Sequence, residues 1–142
     1  MARLIGIDYG KKRVGIAVTD PLQMIVSPLT TIKPGQVSDF LQTYLQKEPV
    51  EAIVVGKPLD LQGNPSATMH AVEKFVAWLK THFAHLAIFT FDERFTSKIA
   101  HQSRLEGGFK KKARQDKAAI DSISATFILR DFLPIYPLKK DL

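Results

Sequence analysis

Apolar and polar residues fall in blocks whose character changes along the chain, and the blocks predict the order of elements. Arg3–Tyr9 carries Leu4, Ile5 and Ile7 and is cut by Asp8, while Val14–Thr19 is a second, nearly continuous apolar run; both read as strands. Only Gly10-Lys11-Lys12-Arg13 separates them, so they form an antiparallel hairpin. Asp20-Pro21 breaks the pattern, and Pro28–Lys33 reads as a third strand before Pro34-Gly35 punctuates the chain. Val37, Phe40, Leu41, Tyr44 and Leu45 recur at spacings of three and four, which predicts one apolar helix face over Val37–Lys47, ended by Pro49. Ala52-Ile53-Val54-Val55 is a short apolar run closed by Gly56, the pattern of a strand buried on both faces. A turn-rich loop follows to Pro65, Ser66 is placed to cap a helix over Ala67–His82, and Val72, Phe75, Val76 and Leu79 share its face. Leu86–Phe91 reads as another buried strand and stops in Asp92-Glu93-Arg94. A helix over Thr96–Leu105 ends at Gly107-Gly108, a basic loop follows, and a last helix over Asp116–Phe132 ends before Pro134.

The predicted order is a three-stranded meander followed by two strand-helix crossovers. Helical crossovers make their strands parallel, so the strands beginning at Arg3, Ala52 and Leu86 run the same way in a sheet covered by helices. The expectation is an α/β fold with a mixed five-stranded sheet, an antiparallel meander plus two parallel strands, in one domain spanning residues 1–142. In such sheets sites form beyond the carboxyl ends of the parallel strands. Those ends are Asp8, Gly56 and Asp92-Glu93.

Composition narrows the chemistry. With 142 residues, 45% hydrophobic and 24% charged, the chain suits one globular core rather than a disordered or collagenous class. The absence of cysteine excludes disulfides, thiolate metal sites and a cysteine nucleophile. The apolar stretch Leu4–Ile7 is too short for a signal-peptide core and no uncharged run approaches the roughly 18 residues of a membrane span, so a cytoplasmic protein without a membrane partner is expected. Twenty Lys and Arg against 14 Asp and Glu leave a net charge of +6, which favours polyanions such as nucleic acid. The cations cluster at Lys11, Lys12 and Arg13 and again at Lys110, Lys111, Lys112, Arg114 and Lys117, although lysine runs also serve as plain solvated loops.

Three acids stand out against apolar surroundings. Asp8 lies inside a strand, Glu93 closes one, and Asp121 interrupts the helix face of Ile120, Ile123, Phe127 and Ile128. Each also has a structural explanation: a buried hydrogen-bond network for Asp8, a pair with Arg94 for Glu93, and a pair with Lys117 one turn earlier for Asp121. Gathered together, three carboxylates repel one another and call for a divalent cation. Hard oxygen ligands select Mg²⁺ or Mn²⁺, and two such ions about 3.5 to 4 Å apart can activate water and stabilise the leaving oxygen of a phosphodiester.

At this point the sequence resembles a known family. Gly6-Ile7-Asp8-Tyr9-Gly10-Lys11-Lys12-Arg13-Val14-Gly15-Ile16-Ala17-Val18-Thr19-Asp20 closely resembles the amino-terminal motif of the YqgF/RuvX family of bacterial RNase H-like proteins. Three further blocks match in order: Val55-Gly56-Lys57-Pro58-Leu59, Asp92-Glu93-Arg94-Phe95-Thr96-Ser97, and Lys117 with Asp121, Ser124 and Ala125. The resemblance spans nearly the whole chain. It implies an RNase H-like fold and a nuclease acting either in maturation of the small-subunit (16S) ribosomal RNA precursor or as a Holliday junction resolvase on branched DNA. It places Asp8, Glu93 and Asp121 where the family's catalytic, metal-holding acids stand, and leaves Asp92 the weaker candidate ligand. Two positions depart from the family pattern: Lys57, where an apolar residue is usual, which adds a cation near the site, and Gln62, where an acid is usual.

The resulting expectation is a metal-dependent nuclease in which Lys11, Arg13, Arg94, Lys110, Lys111, Lys112 and Arg114 hold substrate phosphates. The chain would work as a monomer or as a homodimer, the latter suiting a symmetric junction. A non-catalytic nucleic-acid or ribosome-associated protein of the same fold is the competing class. A phosphate loop of an actin-like ATPase or sugar kinase at Asp8-Tyr9-Gly10 is disfavoured, because nucleotide there binds between two such domains and the length provides one. His82 and His85 lack a third ligand, Trp78 is expected in the core, Phe109 reads as a loop anchor, and Ser66 and Thr68 read as caps.

Overall fold

Alternation of apolar residues along a central strand lets both faces of a sheet be covered, and the chain uses both. The structure, a computed structural model, describes residues 2–58, 68–93 and 117–139, with side chains in the last helix described from Ile123 onward. The strands are β1 (Arg3–Tyr9), β2 (Val14–Thr19), β3 (Val26–Ile32), β4 (Val50–Lys57) and β5 (Ala87–Asp92). The helices are α1 (Val37–Lys47), α2 (Met69–His82), α3 (Lys117–Phe132) and a short α4 (Tyr136–Lys139). The sheet order is β3-β2-β1-β4-β5, with β1 antiparallel to β2, β2 antiparallel to β3, and β1, β4 and β5 parallel.

Each face carries its own core. Ile5 and Ile7 of β1 join Ile53 and Val55 of β4, and α1 and α2 cover them with Leu41, Val72, Phe75 and Leu79. Leu4 joins Ala17, Ala52 and Val54 on the opposite face, where α3 supplies Ala125, Ile128, Leu129 and Phe132. Gly6 belongs to this second face: a Cβ there would lie 2.7 Å from Leu129 Cβ and 3.1 Å from the Ala125 carbonyl oxygen. The missing side chain therefore lets α3 lie directly on β1.

The direction of α3 follows from its two ends. Ile128 Cδ1 sits over Gly56 at the end of β4, whereas the Tyr136 hydroxyl beyond the helix donates to the Glu51 carboxylate at the start of β4. The helix thus runs against β1 and β4, and its earlier turns lie toward the carboxyl edge of the sheet. Burial, and then the Glu51 carboxylate, raise the Tyr136 phenol above its ordinary pKa, so the phenol stays a donor. Glu51 also accepts from Gln23 Nε2 at 2.8 Å, tying the β2–β3 connection to the same end.

Two expectations need correction. β5 is an edge strand rather than a buried one, with Ala87 and Thr90 exposed, because among the described residues no strand pairs with its second edge. β3 begins at Val26, before Pro28; a register shift at Ile16/Ala17 accommodates the proline opposite Ala17. The last long helix ends at Phe132, before Pro134 as expected, and a tight turn at Leu133–Ile135 leads from it into α4. The loop between β2 and β3 is closed by the Asp20 carboxylate, which accepts from the amides of Ile25 at 2.7 Å, Met24 at 2.8 Å and Leu22 at 3.1 Å. Among the described residues no helix is long and apolar enough to cross a membrane.

Candidate active site

A strand's period of two decides which side of the sheet receives each polar residue. Leu4 and Gly6 face α3 while Ile5, Ile7 and Tyr9 face α1 and α2, so Asp8 stands on the α3 face. It is half-buried at the carboxyl end of β1. Its partner across β2 is Gly15. One step beyond the Ile7–Val55 pair it lies beside Gly56 of β4. Two glycines flank the acid, and no Cβ from either neighbour narrows the space around it.

Glu93 reaches the same place from β5. A Cβ at Gly56 would meet Glu93 Cγ and Oε1 at 3.0 Å each, besides Ile128 Cδ1 at 2.6 Å. The Glu93 carboxylate therefore occupies a cradle that only glycine leaves open, next to Asp8. Asp8 and Glu93, expected from sequence to share an edge, are brought to one face of it. Asp92, paired with Lys57 in the ladder, alternates to the other face.

Asp121 falls within α3, and its side chain lies outside the described residues. Among the described residues no group of three His, Cys, Asp or Glu is gathered. The two acids present offer hard anionic oxygens over a glycine floor, which suits a small divalent cation and leaves room for further oxygen ligands. The donor set and the Gly56 cradle therefore fit Mg²⁺ or Mn²⁺.

The basic turn follows directly on β1. Lys11 and Lys12 are exposed and Arg13 half-buried, and the turn is closed by the Gly10 amide donating to the Arg13 carbonyl at 3.0 Å. All three cations thus stand at the carboxyl edge beside Asp8. Arg94, Lys110, Lys111, Lys112 and Arg114 lie outside the described residues, as do Gln62, Ser66 and Phe109. Lys57, expected near the acids, sits at the right edge but on the wrong face: it follows Gly56 by one residue and lines a cleft of about 190 Å³ with Met69, Glu73 and Thr90 on the α2 side. His82 is exposed, donates from Nδ1 to the Trp78 carbonyl at 3.0 Å and stacks on the Trp78 ring. Thr68 takes the N-cap position of α2 without a side-chain cap bond.

The glycine floor of Gly6, Gly15 and Gly56 is the feature that sequence reasoning missed. Its signal was a small residue at the strand positions flanking each acid, which reads as strand-breaking until the register is known.

A mixed sheet in this order, acids at the carboxyl edge of its parallel strands and a helix lying across the sheet define an α/β protein of the RNase H-like fold. The chain shares this fold with Thermus thermophilus RuvC in complex with a Holliday junction substrate, at a TM-score of 0.57 and 15% identity, covering 96% of this chain and 97% of that one. Fowlpox virus resolvase with junction DNA matches at a TM-score of 0.57 and 10% identity over 93% of this chain and 97% of the other. Residues 2–134 match the family model RuvX, described as Holliday junction resolvase, and the chain belongs to that family. A relative from Amoebophilus asiaticus named "Putative pre-16S rRNA nuclease" is 51% identical over 136 residues, covering 96% of each chain. One from Flavobacterium psychrophilum with the same name is 49% identical over 133 residues, covering 94% of this chain and 97% of its own.

Proposed function

We propose that the chain is a divalent-metal-dependent nuclease that hydrolyses phosphodiester bonds in structured nucleic acid, with the 5′ region of the 16S ribosomal RNA precursor as its substrate. The observation that carries the reading is the pair Asp8 and Glu93 on one face of the carboxyl edge, with the Glu93 carboxylate in the Gly56 cradle. The course of α3 supports a third member. Position 121 lies one turn before Ala125, which packs on Gly6, and two turns before Ile128, which packs on Gly56. Because α3 runs toward the amino ends of β1 and β4, those two turns carry position 121 toward Asp8 and Glu93.

In this reading Asp8, Glu93 and Asp121 hold Mg²⁺ or Mn²⁺. The bound ions supply charge neutralisation at the scissile phosphate and a water acidic enough to attack it. The chain's own work is placement. The acids fix their oxygens on rigid strand ends, the glycines keep side chains out of the space a phosphate must enter, and Lys11 and Arg13 hold flanking phosphates at the rim. Arg94 and the Lys110–Arg114 segment extend that grip, and the whole chain acts as one domain in the cytoplasm, on free precursor or on ribosomal particles.

The relatives' shared name favours the ribosomal RNA precursor, and the family description favours a DNA junction as the second reading. Purified protein offered both substrates with Mg²⁺ or Mn²⁺ decides between them. Cleavage of the RNA precursor that is abolished by EDTA and by Asp8→Asn is the expected result. Faster resolution of a four-way DNA junction would overturn the RNA assignment, and binding of either without cleavage would overturn the nuclease.

A further inference from the structure

The face of the sheet opposite the acids carries a second feature at the same edge. A cleft of about 430 Å³ opens there between the end of β1, the start of α1 and the middle of α2. Its walls include Tyr9, Phe75 and Trp78, with Gly35, Ser38 and Lys74 at its sides. The rings are nearly parallel: Tyr9 stacks on Phe75 at 4.4 Å and 19°, and Phe75 on Trp78 at 6.1 Å and 14°. Phe75 is buried behind them, while Tyr9 and Trp78 are only half-buried.

Cations border this cleft at the sheet edge. Among the described residues Lys74 is the one charged side chain lining it. Tyr9 is followed by Gly10 and the cations Lys11, Lys12 and Arg13, and Lys33 immediately precedes Pro34 in the cleft wall. The register sets these segments side by side, because Tyr9 pairs with Val14 and Val14 with Ile32. Aromatic walls bordered by cations are the combination that holds unpaired nucleotides, since bases stack on the rings while phosphates meet the lysines.

We propose that this cleft is a binding site for an unpaired segment of the RNA substrate, seated with a base against Tyr9 and Trp78 and its phosphates on Lys74 and the Lys11–Arg13 turn. The site rests on the nuclease reading for its occupant but not for its chemistry. Asp8 and Tyr9 are consecutive and face opposite sides, so a strand leaving the acids passes the basic turn and crosses the edge into the cleft. The inference assigns substrate preference: a cleavage point next to single-stranded RNA rather than within a continuous duplex.

Trp78 is the only tryptophan in the chain, so its fluorescence reports on the cleft directly. Titration of the whole protein with a single-stranded RNA octamer at low salt should quench it saturably, and an RNA duplex of equal length should not. Lys74→Gln, an exposed change, and Tyr9→Leu should each weaken the quench by roughly fivefold or more. Gly35→Glu gives a test that spares the packing, because a Cβ at Gly35 meets no atom within 4 Å; the added carboxylate should weaken binding by a similar factor. No saturable quench, a quench indifferent to Lys74→Gln and Gly35→Glu, or equal or tighter binding of a DNA octamer would overturn the proposal. Asp8→Asn separates the two readings. Quenching kept with cleavage lost supports both, quenching with undiminished cleavage in Asp8→Asn overturns the acid site alone, and cleavage by a wild type that never quenches overturns the cleft alone.

Discussion

The two faces of the sheet's carboxyl edge are built by opposite means. On the α3 side, Gly6, Gly15 and Gly56 remove side chains so that Asp8 and Glu93 can stand together; on the α1–α2 side, Tyr9, Phe75 and Trp78 fill space with rings. The same strand ends serve both, since Asp8 and Tyr9, and Gly56 and Lys57, are consecutive pairs that part to opposite faces. Chemistry at such an edge depends on register as much as on residue identity. A slip of one residue would exchange the faces and set an aromatic ring among the acids.

The largest break in the comparison comes from the acids. Asp8→Asn or Glu93→Gln should lower cleavage by about a thousandfold or more, and the double variant should cost almost nothing beyond the worse single one, as for residues acting as a unit. Single-turnover assays check this, and independent multiplying losses would refute a shared site. Next in size, Gly56→Ala brings a methyl against Ile128 Cδ1, a movable side-chain end, and against Glu93. Its melting temperature should change little while cleavage falls by roughly tenfold to a hundredfold, because a displacement near 1 Å is enough.

Gly6→Ala sharpens the contrast within the same face. Its methyl meets Leu129 Cβ and the Ala125 carbonyl, which cannot swing aside, so urea unfolding should show a loss of about 1–3 kcal/mol as α3 is pushed off β1. Smaller again, Lys11→Ala with Lys12→Ala should reduce the dependence of log K on log salt for RNA binding by roughly one to two units, with turnover at saturation little changed. Filter binding across a salt series measures it.

The smallest effect lies far from the edge. Asp20 has its pKa lowered, chiefly by the Ile25 amide and further by those of Met24 and Leu22. The folded state therefore prefers the carboxylate, and its contribution is complete above the unfolded value and is lost as pH falls through the lower folded one. Asp20→Asn should remove that part of the acid dependence in thermal melts between about pH 5 and pH 2, leaving the shape of the curve at neutral pH unchanged.

Element order was legible because each strand and helix has its own apolar period, and β1, β2, α1 and α2 lie close to their expected spans. Asp8 and Glu93 were legible as an edge pair because parallel crossovers align strand ends. The sidedness of their neighbours was not. Lys57 looks like a neighbour of the acids in a linear reading, and only the phase of β4 sends it to the α2 side. Ile88, Phe89 and Phe91 gave β5 the look of an interior strand, since the apolar side of an edge strand and an interior run share the same letters. The aromatic cleft draws on three separated elements, and Phe75 and Trp78 at helical spacing read simply as core.

The arrangement of α3 also has a consequence in time. β1, β2, β3, α1, β4, α2 and β5 are all made before α3, and among the described residues they supply the sheet and its α1–α2 core. The second core, by contrast, waits for Ala125, Ile128, Leu129 and Phe132, and for Tyr136 to reach Glu51. During synthesis, when the earlier part of a chain can organise first, the α1–α2 core can therefore form before α3 packs on the acid face. The two faces of one sheet are therefore completed in sequence, the aromatic face before the face that carries Asp8 and Glu93.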